Sequence, residues 1–139
     1  MIEKFEDLGL KDEFKIEEVD AILQEKMGIK IADLQQAICD YVQSHSEEMS
    51  LQFKNIAPLG DYEKLLEDND SMASWLREEA AKIEHWKLSE IHPHEVHKNL
   101  LQFIFKCSAI DDGTTCRGFA FVSLSGKVRH AFARGDDTI

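Results

Sequence analysis

The hydrophobic residues change their spacing once along this 139-residue chain, near Asn99, and that change limits the fold more than any other feature. Before Asn99 they recur every three or four positions, which is typical of amphipathic helices. After Asn99 they alternate, which is typical of strands. A chain of this length forms one domain in most cases. We therefore predict a single α+β domain over residues 1–139, mainly helical over 1–99 and an antiparallel sheet over 100–135.

Two helices have the clearest patterns. Apolar residues from Ile16 to Met27 predict the first helix, and Gly28 is expected to end it, since glycine favours helix C-termini. A second helix is predicted by residues that step along one face: Ile31, Leu34, Ile38, Tyr41, His45 and Met49.

Further helices bring the predicted total to four or five. Asp61 can cap a short helix. The segment SMASWLREEAAKIEHWKL, residues 71–88, keeps a helical period. Pro93 suits the first turn of another short helix.

A three-stranded antiparallel meander is predicted after Asn99. Residues 100–110, LLQFIFKCSAI, alternate as in a strand, although a helix running on to Phe105 also explains the apolar positions. Residues 115–124 and 127–134 predict two more strands, joined by a tight turn at Ser125-Gly126. If Leu124 pairs with Lys127, Phe119 faces Phe132 and Phe121 faces His130.

The net charge is −11, the sum of −13 over residues 1–97 and +2 over residues 98–139. An acidic body repels nucleic acid and steers toward basic partners. The sequence lacks a catalytic constellation or a cofactor loop, so we do not expect an enzyme. It favours a small acidic inhibitor or immunity-type protein that neutralises a basic partner, a toxin or a nucleic-acid-handling enzyme, by direct binding. The predicted partner-binding residues are acids expected to be exposed: Glu17, Glu18, Asp20, Asp61, Glu63, Glu67, Asp68, Glu78 and Glu79.

RGFAFVSL, residues 117–124, resembles the signature octapeptide of the RNA-recognition motif, in which strand aromatics stack on bases. The resemblance implies a β-α-β-β-α-β fold with the octapeptide on its third strand. Here helices are predicted upstream, and a turn and a last strand follow. The sequence therefore predicts a core strand at this position, and nucleic acid is not the expected partner.

A metal site is the main alternative. His92, His94 and His97 lie close together, and a helix would place His94 and His97 on one face. Imidazoles at that spacing can share zinc or iron, with a nearby glutamate completing the site. This alternative predicts a metal-dependent enzyme or a metal sensor.

A further alternative is an acidic chaperone of a secreted effector, which would be a dimer with an exposed apolar groove. No apolar run is long enough to cross a bilayer, and the N-terminus lacks a signal-peptide core, so a cytoplasmic location is expected. Cys107 and Cys116 flank one turn, and whether they pair is left open. In a reducing compartment two thiols are the expectation. The oligomeric state is not predicted.

Overall fold

The computed structural model describes residues 2–10, 13–52, 69–108 and 116–135. Within these residues three α-helices precede a four-stranded antiparallel sheet, so the α+β class is confirmed. The predicted four to five helices and three-stranded meander are wrong. The helices are α1 (Ile16–Met27), α2 (Ile31–Gln52) and α3 (Asn69–Trp75), and the strands are β1 (Trp86–Pro93), β2 (Leu100–Cys107), β3 (Cys116–Ser123) and β4 (Val128–Gly135).

The two helices with the clearest periodicity form where the sequence predicts them. Gly28 ends α1 in the left-handed conformation, with φ of 67°, and its N–H bonds back to the carbonyl of Gln24. α2 continues to Gln52 and has one residue with non-helical dihedrals, His45. The short helix predicted after Asp61 lies outside the described residues.

The segment after α3 departs most from the prediction. A π-helical turn, Leu76–Ala80, follows α3, and a 3₁₀ turn, Ile83–His85, leads into β1, where a helix through residue 88 was expected. The pairing of β1 with β2 shifts register between Leu88 and Glu90. This bulge separates buried Leu88 and Ile91 by three positions, so a strand imitates helical spacing. The helix expected at Pro93 is also absent from these residues, because Pro93 ends β1.

The strands are paired in chain order, β1-β2-β3-β4. Residues 100–107 form a strand, which settles the ambiguity between strand and helix in this segment. The predicted pairs of β3 with β4 are confirmed, because Phe119 lies opposite Phe132 and Phe121 lies opposite His130.

Helix α2 packs against β3 and β4 on one face of the sheet, which we call the inner face. Phe103, Phe105 and Trp86 are fully buried there in one cluster with residues of α1 and α2. Gly118 allows α2 to come close, since a Cβ at this position would lie 2.9 Å from Cγ2 of Ile38. Because successive strand residues point to opposite sides, the other residues of each strand form a second, outer face.

Candidate functional site

The predicted acidic residues fall in different surroundings. Glu17 and Glu18 lie exposed in the first turn of α1, and Glu78 is exposed in the π-helical turn. These three keep the accessibility that partner binding needs. Four of the predicted residues lie outside the described part of the chain: Asp61, Glu63, Glu67 and Asp68.

Asp20 and Glu79 have structural contacts instead. The Asp20 carboxylate accepts the backbone N–H of Ile31 at 2.9 Å, which satisfies a free donor at the start of α2, and it also accepts the Gln24 amide. Glu79 forms an ion pair with Lys82 at 3.2 Å, and the Nε2 atom of His85 lies 3.6 Å from the same carboxylate. Asp20 therefore fixes the joint between α1 and α2, and Glu79 is partly neutralised.

The acids of α2 were missed by the sequence prediction. α1 and α2 together hold eight acids and one base, a net charge of −7, and α2 itself contains no lysine or arginine. We call the exposed members of this set the acidic helical surface: Glu17, Glu18, Glu25, Asp33, Asp40, Glu47 and Glu48. The seven-residue step from Asp33 to Asp40 and on to Glu47 was a readable signal, because such residues lie on nearly the same side of a helix.

The three candidate metal ligands lie at the end of β1 and in the turn after it. His92 is bonded to Glu90 at 3.1 Å. The Nδ1 atom of His94 accepts the backbone N–H groups of Val96 and His97, at 3.1 and 3.0 Å, so this nitrogen is used in the turn. Among the described residues, no group of three His, Cys, Asp or Glu side chains is placed to hold a metal ion.

The outer face of the sheet carries an aromatic cluster. Phe119 and Phe132 stack with centroids 4.9 Å apart, and the ring of His130 lies 5.3 Å from that of Phe132. Phe121 lies between His130, at 6.5 Å, and His94, at 5.6 Å. Phe119 is only 7% exposed, Phe121 and Phe132 are half-buried and His130 is exposed. The face therefore presents accessible ring surface.

A row of four cations crosses the same face. Lys87 is paired with Lys106, Lys106 with Arg117, and Arg117 with Arg134, so the row spans all four strands. The Arg134 guanidinium lies over the ring of Phe119, 5.4 Å from its centroid. The four strands together hold five bases and one acid, a net charge of +4. Among the described residues, the sheet and the first two helices thus carry opposite charge.

The three cysteines are buried thiols, and Cys107 and Cys116 do not form a disulfide. Burial raises the pKa of the Cys39 thiol to about 11, and the neighbouring Asp40 carboxylate adds to this effect. A hydrogen bond with Cys107, together with burial, raises the pKa of Cys116. The thiol forms are therefore favoured, and none of these residues is set up as a nucleophile.

A cavity of about 340 Å³ lies where the N-terminal segment meets β1. Its walls combine Phe5, Leu10 and Phe14 with the β1 residues from Ser89 to His92. The Glu90–His92 pair therefore contributes to its polar side.

Searches against protein-family models, curated proteins and solved structures gave no match to this chain. In the described part of the chain, none of the helices has both the length and the apolar character needed to cross a membrane.

Proposed function

We propose that this chain is an acidic binding protein of the cytoplasm that neutralises a basic protein partner, such as a toxin or a nucleic-acid-handling enzyme, by direct contact. The acidic helical surface is the proposed contact region. The observation that carries the proposal is the separation of charge, with −7 on α1 and α2 and +4 on the four strands. Three cysteines in the thiol form are compatible with a reducing compartment.

The proposed mechanism is electrostatic. The α2 acids face solvent with no base in the same helix to neutralise them, so the local field is stronger than the average over the molecule. Complementary charge raises association rates and excludes partners of the wrong sign, and the final affinity comes from a few desolvated contacts. Glu17 and Glu18 extend the same field along α1.

The test uses a variant that removes three charges from α2, Asp40→Asn/Glu47→Gln/Glu48→Gln. Its matched control, Glu3→Gln/Glu6→Gln/Glu13→Gln, removes three exposed charges from outside α1 and α2. Tagged wild-type protein is used to capture partners from its native cells, and the captured protein is then purified and titrated against all three proteins by calorimetry.

We expect a stoichiometric basic partner that is released as salt rises, because exposed charge pairs are screened beyond a Debye length of about 8 Å at physiological ionic strength. The α2 variant should bind it at least tenfold more weakly, and the control should bind it like the wild type. Equal binding by the α2 variant, a salt-independent affinity, or the absence of a basic partner would each contradict the proposal.

A further inference from the structure

The outer face of the sheet combines two kinds of group that the acidic helices lack, aromatic rings and ordered cations. The ring planes of Phe121, Phe132 and His130 lie within 14° to 29° of one another. The row of cations runs beside these rings. Arg134 of the row follows Phe132 by two residues on β4, which corresponds to about 7 Å along a strand. We propose that this face binds single-stranded nucleic acid, with bases stacked on the three rings and phosphates held by the row.

The aromatic half of the site is suited to bases. Stacking of a base on an aromatic side chain contributes about 1–3 kcal/mol and tolerates any sequence, since every base has a π-face. His130 is exposed, and Phe121 and Phe132 keep part of their surface accessible. Phe119, which is almost buried under Arg134 and Phe132, supports the cluster and is not expected to contact a base.

The basic half of the site is suited to phosphates. Like charges directly opposite each other on neighbouring strands destabilise a sheet, and this sheet places Lys106 opposite Lys87. Glu79 and Glu90 lie within 4 Å of Lys82, His85 and His92, and these contacts do not include Lys87, Lys106 or Arg134. A bound chain of phosphates would offset the repulsion along the row.

The acids of α2 belong to a helix that packs against the inner face, so the sheet lies between this helix and the outer face. The helix comes nearest at the β4 edge, where the rings of Tyr41 and Phe132 meet edge-on with centroids 6.4 Å apart. Exposed acids farther from the rings than the Debye length, about 8 Å at physiological ionic strength, are largely screened. Glu90 is the acid that the strands themselves carry, and His92 is bonded to it.

Accessible rings also favour single strands over duplexes. The bases of a duplex are stacked on one another, so their faces are not available to Phe121, Phe132 or His130. An acidic peptide would satisfy the cations but would leave the rings without stacking partners. The experiment therefore includes a duplex and poly-glutamate.

Fluorescence anisotropy with labelled octanucleotides of uridine and of thymidine, at 50 mM salt, tests the proposal. Three variants change the outer face. Phe121→Leu/Phe132→Leu removes two aromatic rings but keeps apolar side chains, and His130→Ala removes the exposed imidazole ring. Lys87→Gln/Lys106→Gln removes two positive charges from the cation row. Lys15→Gln/Lys30→Gln is the matched control, since both lysines are exposed and lie off the sheet. Circular dichroism establishes that each variant is folded.

We expect micromolar binding of at least one of the two oligonucleotides. The double-leucine variant should weaken it tenfold or more, and His130→Ala several-fold, because stacking is lost. Lys87→Gln/Lys106→Gln should lower the slope of log affinity against log salt by about 1.4, the value for two single-strand phosphate contacts. The Lys15→Gln/Lys30→Gln control should match the wild type.

Four results would overturn the proposal: no binding of either oligonucleotide, equal binding of a duplex, equal competition by poly-glutamate, or wild-type affinity in the double-leucine and His130→Ala variants. The variant Asp40→Asn/Glu47→Gln/Glu48→Gln should bind the oligonucleotides at least as tightly as the wild type, because it removes negative charge and none of the stacking rings. Failure of the acidic-surface proposal and failure of the nucleic-acid proposal are therefore distinguishable.

Discussion

Cys39, on the core side of α2, is a residue whose ionisation is opposed by its surroundings. Its side chain is 1% exposed, and burial raises the pKa of its thiol to about 11, with Asp40 adding to the shift. A thiolate at this position is therefore costly. In the unfolded chain the same thiol ionises near its ordinary pKa of 8.5–9, so high pH favours the unfolded state.

This shift predicts a pH dependence of stability. Because the folded pKa is raised, the contribution of Cys39 is complete below its unfolded pKa and is lost as pH rises toward 11. The difference in unfolding free energy between the wild type and Cys39→Ala should therefore fall by about 1–2 kcal/mol from pH 8 to pH 10. Urea unfolding at the two pH values measures it. Taking the difference cancels the titration of other groups, and a constant difference would show that the thiol ionises equally in both states.

Strand β1 is joined to the turn before it by a buried side chain. The indole of Trp86, the first residue of the strand, is fully buried and donates its Nε1–H to the carbonyl of Ala80 at 2.6 Å. This bond ties the strand to the end of the π-helical turn. Trp86→Phe removes the donor and leaves a buried acceptor without it, so we expect a loss of about 1–3 kcal/mol in urea unfolding. A loss below 0.5 kcal/mol would mean that the bond does not hold β1 in place.

How far the sequence predicts each element depends on whether its pattern has one explanation. α1 and α2 follow a regular spacing, and Gly28 marks the end of α1, so both were predicted. β3 and β4 were predicted from the tight turn between them, whereas the sequence left residues 100–106 open between strand and helix until the structure placed them in β2. β1 was missed because its bulge replaces alternation with a helical step from Leu88 to Ile91. Local periodicity cannot show a bulge, which is defined by the partner strand.

The candidate sites were harder to predict for a related reason. In the sequence, Asp20 and Glu17 are both acids in the first helix and cannot be told apart. In the structure the Asp20 carboxylate accepts the backbone N–H of Ile31 in α2, so it holds two helices together. The aromatic pairs of β3 and β4 were predicted from the turn, and most of the segment 117–124 is buried, as expected of a core strand. Gly118 faces the helices, whereas Phe121 on the outer face stays half-buried. The row from Lys87 to Arg134 needs the fourth strand, so it was unreadable without β1.

At the scale of the whole molecule, the separation of charge has an energetic cost. Acids are concentrated on α1 and α2 and bases on the strands, so in the described residues each region repels itself. A mixed arrangement would relieve both kinds of repulsion. Proteins keep destabilising arrangements mainly where function requires them, which is a reason to test both surfaces for binding.

Lys106 gives a direct measure of that cost, because it lies between Lys87 and Arg117 on the outer face. Removing a positive charge from a protein of net charge −11 ordinarily increases its self-repulsion. Lys106→Gln should do the opposite, raising the unfolding free energy by about 0.2–1 kcal/mol at low salt, with little effect at 1 M salt.

Lys30→Gln is the control for Lys106→Gln, since Lys30 is exposed between α1 and α2 and lies outside the sheet. It should leave stability unchanged or slightly lower. Urea unfolding of both variants at the two salt concentrations makes the comparison. If Lys106→Gln instead destabilises the protein as much as Lys30→Gln or more, the cation row stabilises the sheet, and its arrangement is then explained by folding without any ligand.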